Sequence, residues 1–126
     1  MTGTIGIKRI YEPSAKGDGL RVLVDRLWPR GVSRDKADLD HWFKDISPSP
    51  EIRTWFGHDP ARFDGFRDRY RHELDANGDA VDQLCAWVDQ GDVTLLYAAR
   101  DEHNNHALIL AEYIAERGGY RFQPPA

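Results

Sequence analysis

The sequence is poor in cysteine and has no long apolar run. Cys85 is the single cysteine, which excludes an intrachain disulfide and a zinc site built on cysteines. This usage is typical of a reducing compartment. The first ten residues lack the pattern of a secretory signal, and no stretch is long enough to span a membrane. We therefore expect a soluble, cytoplasmic protein.

An excess of positive charge is also missing. Lys and Arg number 17 against 21 Asp and Glu, which gives a formal net charge of -4. Domains that bind double-stranded nucleic acid are usually basic, so that partner is not expected. The motifs GxGxxG, GxxxxGK[ST] and GxSxG are absent as well. These absences count against the common dinucleotide, P-loop and serine-hydrolase sites.

The residues that are present suit one compact domain. Hydrophobic residues make up 40% of the 126 positions, enough to build a single core. We expect one domain over 1–126, with its core at about 4–119 and a loose tail over 120–126.

Apolar runs and alternation predict four strands, over 4–11, 20–27, 41–46 and 93–99. The last of these is the most apolar, which places it at the centre of a sheet. The loop over 12–19 is too short for a helical crossover. The direction of the first strand relative to the second is therefore left open.

Helix start and stop signals alternate between 49 and 91. Ser49-Pro50, Asp59-Pro60 and Asp79 are start signals, and glycines end each segment. Asn104 or Asn105 opens a last helix that ends at Gly118-Gly119. Strands interrupted by helices predict an α/β fold: a single-domain three-layer α/β sandwich with a small, mostly parallel sheet, a mixed sheet being the open alternative.

Polar residues gather at two predicted strand ends, where α/β sheets bind their ligands. Arg26 and Arg30 lie at and just beyond the end of the second strand and suit carboxylates or phosphates. Trp28, between them, offers a wall for a planar ligand. Lys44, at the end of the third strand, is a further candidate.

The end of the last strand and the segment after it supply the other half of the predicted pocket. Tyr97 would form a second wall, and Asn105 would bind a polar ligand at the start of the last helix. His106 is the candidate general acid/base, and Asp101 would orient it or an arginine. A purely structural role for these residues, in ion pairs, caps and core, is the alternative.

Asp101, His103 and His106 allow a second alternative, because histidines three apart with a nearby carboxylate can bind a transition metal. No cofactor is indicated by the sequence. A third alternative is a non-enzymatic binding or regulatory module, whose arginines and tryptophan would contact a protein or single-stranded nucleic acid.

Four blocks, RVLVDRLWPRGVS, WFKDISPS, WFGHDPARF and VTLLYAARDEHNNHA, resemble in order and spacing the bacterial domain of unknown function 488 family, in its short YeaO-like branch. The resemblance spans about 7–115 and implies a compact, cytoplasmic α/β domain without a catalytic assignment. Longer members carry a Cys-His-Arg segment where this chain has Asn105, His106 and Ala107. The resemblance therefore retains the histidine and puts thiol chemistry in doubt.

Taken together, the sequence predicts a polar pocket at the carboxyl ends of the strands. Its expected ligand is small and anionic or planar, such as a nucleotide-like molecule, with acid/base chemistry by His106 as a further option. The oligomeric state is left open.

Overall fold

A computed structural model describes residues 2–124 of the chain, which adopt an α/β fold around a five-stranded parallel sheet. The strand order is β3-β2-β4-β1-β5. The strands are β1 (Thr4–Arg9), β2 (Leu20–Leu23), β3 (His41–Trp42), β4 (Val93–Tyr97) and β5 (Arg121–Gln123). The helices are α1 (Arg34–Ala37), α2 (Pro50–Phe56), α3 (Phe63–Asp75), α4 (Gly78–Gln90) and α5 (His106–Gly118).

The strand β4 is the centre of the sheet, as its apolar sequence predicts. It pairs with β1 on one side and β2 on the other, both in parallel. The open question about the first two strands is thereby answered: they run in the same direction, but they are not neighbours. The short loop between them only has to cross over one intervening strand.

Three strand predictions need correction. The second strand ends at Leu23 instead of continuing to 27, and the third covers only His41–Trp42 before a short 3-10 turn at Lys44–Ile46. The predicted loose tail contains β5, which pairs with β1. Its sequence is short and mostly polar, so periodicity gives no signal for this edge strand.

Most helix boundaries follow the local signals. The side chains of Ser49 and Asn105 accept hydrogen bonds from the backbone of Ile52 and Leu108 and so cap α2 and α5. Gly57 ends α2 in the left-handed conformation that favours glycine, with φ 55°. The helix α4 begins at Gly78, one residue before the Asp79 predicted to cap it.

The two faces of the sheet are covered unequally. The helices α3, α4 and α5 supply most of the main core, which packs against the sheet face carrying Val22 and Leu95. The opposite face carries Leu23 and Leu96 and is covered only by a thin layer that includes the short α1. Phe56 and Phe66 of the main core also line the cavity described next.

No helix in the described part of the chain has the length and apolarity needed to cross a membrane.

Candidate functional site

A cavity of about 300 Å³ opens at the carboxyl-terminal edge of the sheet, between the ends of β2 and β4 and the helices α2, α3 and α5. This is the edge at which open α/β sheets hold their ligands. The cavity is lined by Asp25, Arg26, Ser47, Pro48, Arg53, Phe56, His58, Phe66, Ala98, Ala99, Asn104, Asn105 and His106.

His106 is the first residue of α5, and its imidazole contacts two residues that directly follow β2. Its Nε2 lies 3.1 Å from the carbonyl oxygen of Val24 and 3.1 Å from Oδ1 of Asp25. Both atoms are hydrogen-bond acceptors, so Nε2 carries the proton and donates a hydrogen bond to the Val24 carbonyl. The Asp25 Oδ1 atom is buried and makes no hydrogen bond, even though the imidazole is close, because the N–H is directed at Val24.

Asp25 is itself fixed by the sheet. Its Oδ2 accepts a hydrogen bond from the backbone N–H of Ala98, just after β4. Its carbonyl oxygen accepts one from the indole Nε1 of Trp42. Asp25 thus connects the ends of three strands and presents its carboxylate to His106, which is the role that the sequence assigns to Asp101.

Tyr70 of α3 packs edge-on against the imidazole of His106, with 6.4 Å between the ring centroids. Its hydroxyl donates a hydrogen bond of 2.6 Å to the carbonyl of Ile46. Burial, followed by the negative charges of Glu73 and Asp25, raises the pKa of Tyr70 well above its usual range. The phenol therefore stays protonated and serves as a fixed wall beside the histidine.

Asp101 lies in the loop before α5 and organises that loop. Its carboxylate accepts hydrogen bonds from the side chain and backbone of Asn104 and from the backbone of His103. The bond from the Asn104 side chain is the main reason why the pKa of Asp101 falls below its usual value. Asp101 does not line the cavity. It helps to position Asn104 and Asn105, which do line it, through hydrogen bonds from their side chains.

The electrostatics of the lining are unbalanced. Arg26 and Arg53 carry positive charge, whereas Asp25 is the one acidic residue in the lining. Among residues 2–124, neither arginine forms an ion pair. The net character of the cavity is therefore cationic, in a chain whose overall charge is -4.

Arg26 is only partly satisfied by the protein. Its Nη2 donates a hydrogen bond of 3.2 Å to the carbonyl of Pro48. Its Nε is buried and has no hydrogen-bond partner in the described part of the chain. An unpaired buried donor is uncommon in folded proteins and costs free energy.

The structure brings together three of the residues singled out from the sequence, Arg26, Asn105 and His106, in one cavity. Asn105 is almost fully buried, and its side chain is used by the fold: Oδ1 caps Leu108, and Nδ2 donates to the carbonyl of Asp101.

The other predicted ligand-binding residues lie outside the lining. Trp28 is on the opposite face of the sheet, where it meets the edge of Trp42 and donates to the carbonyl of Val32. Arg30 is exposed, and Lys44 has its ammonium 4.1 Å from the centre of the Trp42 ring. Trp28 and Arg30 miss the cavity because β2 ends at Leu23, so the strand alternation does not continue to them.

Tyr97 is buried in the main core beneath the cavity and is not one of its walls. Burial and the charges of Glu102 and Glu12 raise the pKa of Tyr97 to about 12. The metal alternative also lacks a site, since residues 2–124 contain no group of three His, Cys, Asp or Glu that could hold an ion. His103 and His106 are separated by the start of α5.

Several lining residues have no signal in the sequence that assigns them to a pocket. Arg53 and Phe56 belong to α2, and His58 follows its end in a left-handed conformation with φ 58°. The block WFGHDP predicts only a corner between two helices, which is correct for the backbone. The unusual φ of His58 is the feature that marks this corner, and it is visible only in three dimensions.

Comparisons with known proteins find relatives over nearly the whole chain. Residues 4–121 match the family described as "Inactive DUF488-N3 subclade". "Uncharacterized protein YeaO" of Escherichia coli (strain K12) is 40% identical over 110 residues, which cover 87% of this chain and 96% of that protein. "Uncharacterized protein Rv3073c" of Mycobacterium tuberculosis (strain ATCC 25618 / H37Rv) is 39% identical over 113 residues, which cover 90% of this chain and 95% of that protein. No solved structure matches at a significant level.

Proposed function

The chain belongs to the DUF488 family, in the subclade described as inactive, and from that premise we propose that its cavity binds a small anionic ligand without transforming it. The resemblance identified from the four sequence blocks is thereby confirmed at the level of the family.

The observation that carries this proposal is the pair of arginines in the lining. Arg26 and Arg53 reach the cavity from different elements, and neither is neutralised by a carboxylate among residues 2–124. Guanidinium groups bind carboxylates and phosphates through paired, charge-assisted hydrogen bonds. An anion in the cavity would supply the missing charge and acceptors.

Binding without turnover is supported by the residue that opens α5. A carboxamide is not a nucleophile, and both polar atoms of the Asn105 side chain already take part in the helix cap and the preceding loop. The Nε2–H of His106 is donated to the carbonyl of Val24, so the ring has no free N–H to pass to a ligand. His106 then lines the cavity without acting on the bound anion.

The test is a thermal-shift screen of small anions, including phosphates, carboxylates and nucleotides, followed by calorimetry on every anion that raises the melting temperature. Arg26→Ala should weaken binding of the best anion by about tenfold or more, the usual value of a charge-assisted hydrogen bond. Arg30→Ala is the matched control: this arginine is in the same segment but exposed and outside the cavity.

Equal affinities of the Arg26→Ala variant and the wild type would refute the proposal, as would a loss of equal size for Arg30→Ala. Conversion of a bound anion, followed by NMR, would instead favour acid/base chemistry by His106. Salt-dependent binding of single-stranded nucleic acid that Arg26→Ala leaves unchanged would favour the partner-binding alternative. A cytoplasmic location remains a prediction from the sequence.

A further inference from the structure

We propose that the ligand is a phosphate monoester with a compact apolar organic group, bound as the dianion. This inference rests on the proposed function, because it names the chemical class of the anion in the same cavity. It follows from the number of unpaired cationic groups, from the apolar part of the lining and from the size of the cavity.

The first step concerns charge. A carboxylate has two oxygens and one charge, and a single guanidinium can satisfy it through two parallel hydrogen bonds. The cavity offers two guanidinium groups, Arg26 at the end of β2 and Arg53 on α2. A monoanion would leave one of them without compensation, whereas a phosphate monoester brings close to two negative charges and three acceptor oxygens.

The imidazole of His58 increases this preference. It lies in the same lining as the two arginines. A ring N–H of His58 can donate a hydrogen bond to an oxygen of the ligand, and a dianion has enough oxygens to accept it in addition to the guanidinium donors. Asp25 is paired with neither arginine, since its Oδ2 accepts from the backbone of Ala98 and its Oδ1 lies beside Nε2 of His106.

The second step concerns the organic part of the ligand. Phe56 and Phe66 are stacked with 4.3 Å between their centroids and an angle of 2° between their planes. Pro48, Ala98 and Ala99 extend this apolar part of the lining. Inorganic phosphate has nothing to place against such a surface, whereas an apolar group that covers it is removed from water with a gain in free energy.

The third step concerns size. A volume of about 300 Å³ lies at the lower end of the range for small-molecule pockets. The organic group must therefore be compact, comparable to a single ring. Phenyl phosphate combines a single ring with a phosphate monoester and is the probe of choice.

The experiment is isothermal titration calorimetry of the full chain with four probes at about pH 7.5, above the second pKa of a phosphate monoester near 6. The probes are phenyl phosphate, its methyl diester with one charge, benzoate and inorganic phosphate. Phenyl phosphate should bind at least about tenfold more tightly than each of the other three, corresponding to one charge-assisted hydrogen bond or one buried apolar group.

Arg53→Ala is the decisive variant, because Arg53 is exposed and its removal leaves the fold intact. It should reduce the preference for phenyl phosphate over the methyl diester to less than about threefold. Arg30→Ala should retain the full preference, since Arg30 is outside the cavity.

Two results would overturn the inference while leaving the proposed function intact. Benzoate or the diester binding as tightly as phenyl phosphate, with loss on Arg26→Ala, would show an anion site without a preference for the dianion. Inorganic phosphate binding as tightly as phenyl phosphate would show that the organic group contributes nothing. Failure of all four probes, together with failure of the wider anion screen, would instead refute the proposed function.

Discussion

Two arginines on either side of the end of β2 have opposite surroundings. Arg21 is within the strand, is 3% exposed, and every nitrogen of its guanidinium has a partner: the Asp18 carboxylate and the carbonyls of Asp38 and Ala37. Arg26, five residues later, donates to one carbonyl and leaves its Nε without a partner. The sequence alone does not show that Arg21 is fully paired and Arg26 only partly.

The difference indicates what each arginine does. The network of Asp18, Arg21 and Lys8 closes on itself and ties β1, β2 and the loop between them. Such a network is part of the fold, because Arg21 and Asp18 are paired with each other and each finds its hydrogen-bond partners within the chain. An arginine that the protein leaves partly unsatisfied is available to something from outside, and here it lines a cavity.

The sharpest way to test this contrast is the same substitution at both positions. Arg21→Met should lower the free energy of unfolding by about 3 kcal/mol, because it removes one member of a buried ion pair and leaves the Asp18 carboxylate to Lys8 alone. Urea denaturation measures this directly. A loss below about 1 kcal/mol would mean that Arg21 is as dispensable to the fold as an exposed arginine.

Asp18→Asn should cost about 2 kcal/mol at neutral pH, the range of hydrogen bonds to a charged group. Burial acts to raise the pKa of Asp18, but hydrogen bonds from Ala15, Lys8 and Arg21 outweigh it and hold the pKa below its usual value. The carboxylate therefore contributes stability above about pH 3.9, the unfolded value, and loses it as the pH falls through the lower folded value.

Unfolding curves recorded at successively lower pH should consequently converge for the wild type and Asp18→Asn. A difference in stability that stays constant down to the acid limit would show that the charge of Asp18 is not what stabilises the network.

Arg26→Met should change the free energy of unfolding by less than about 1 kcal/mol, the smallest of the three effects. It loses the hydrogen bond to Pro48, but it also removes a buried donor without a partner. A loss as large as that of Arg21→Met, measured in the same urea series, would assign Arg26 to the fold and weaken the case for a ligand.

Much of the fold could be predicted from the sequence because its boundaries are local. Ser49 and Pro50 start a helix and Gly57 ends it through the conformations of these residues alone. Phe66 and Tyr70 stand four residues apart, a spacing typical of one face of a helix, and both are buried on α3. The edge strand β5 could not be predicted, since its pairing depends on β1, more than a hundred residues earlier.

The candidate site was predictable only in part, for a similar reason. Its position at the carboxyl ends of the strands follows from a general rule, and Arg26 and His106 follow from it directly. The carboxylate beside His106 belongs to Asp25 and not to Asp101. Asp25 follows β2, which is separated from β4 in chain order but is its neighbour in the sheet. Arg53 is on α2, and His58 is in the corner after it. No local sequence pattern predicts how these two segments pack.

The central position of β4 has a consequence for the synthesis of the chain. The strands β1 and β2 share no ladder, and each is joined to the other only through β4. Ribosomes release the amino-terminal residues first, so β1 and β2 emerge before residues 93–97 can link the two strands. Until then β1 has no neighbour in the sheet, because β5 emerges later still. During synthesis β2 can already pair with β3, whereas β1 joins the sheet only after β4 has emerged.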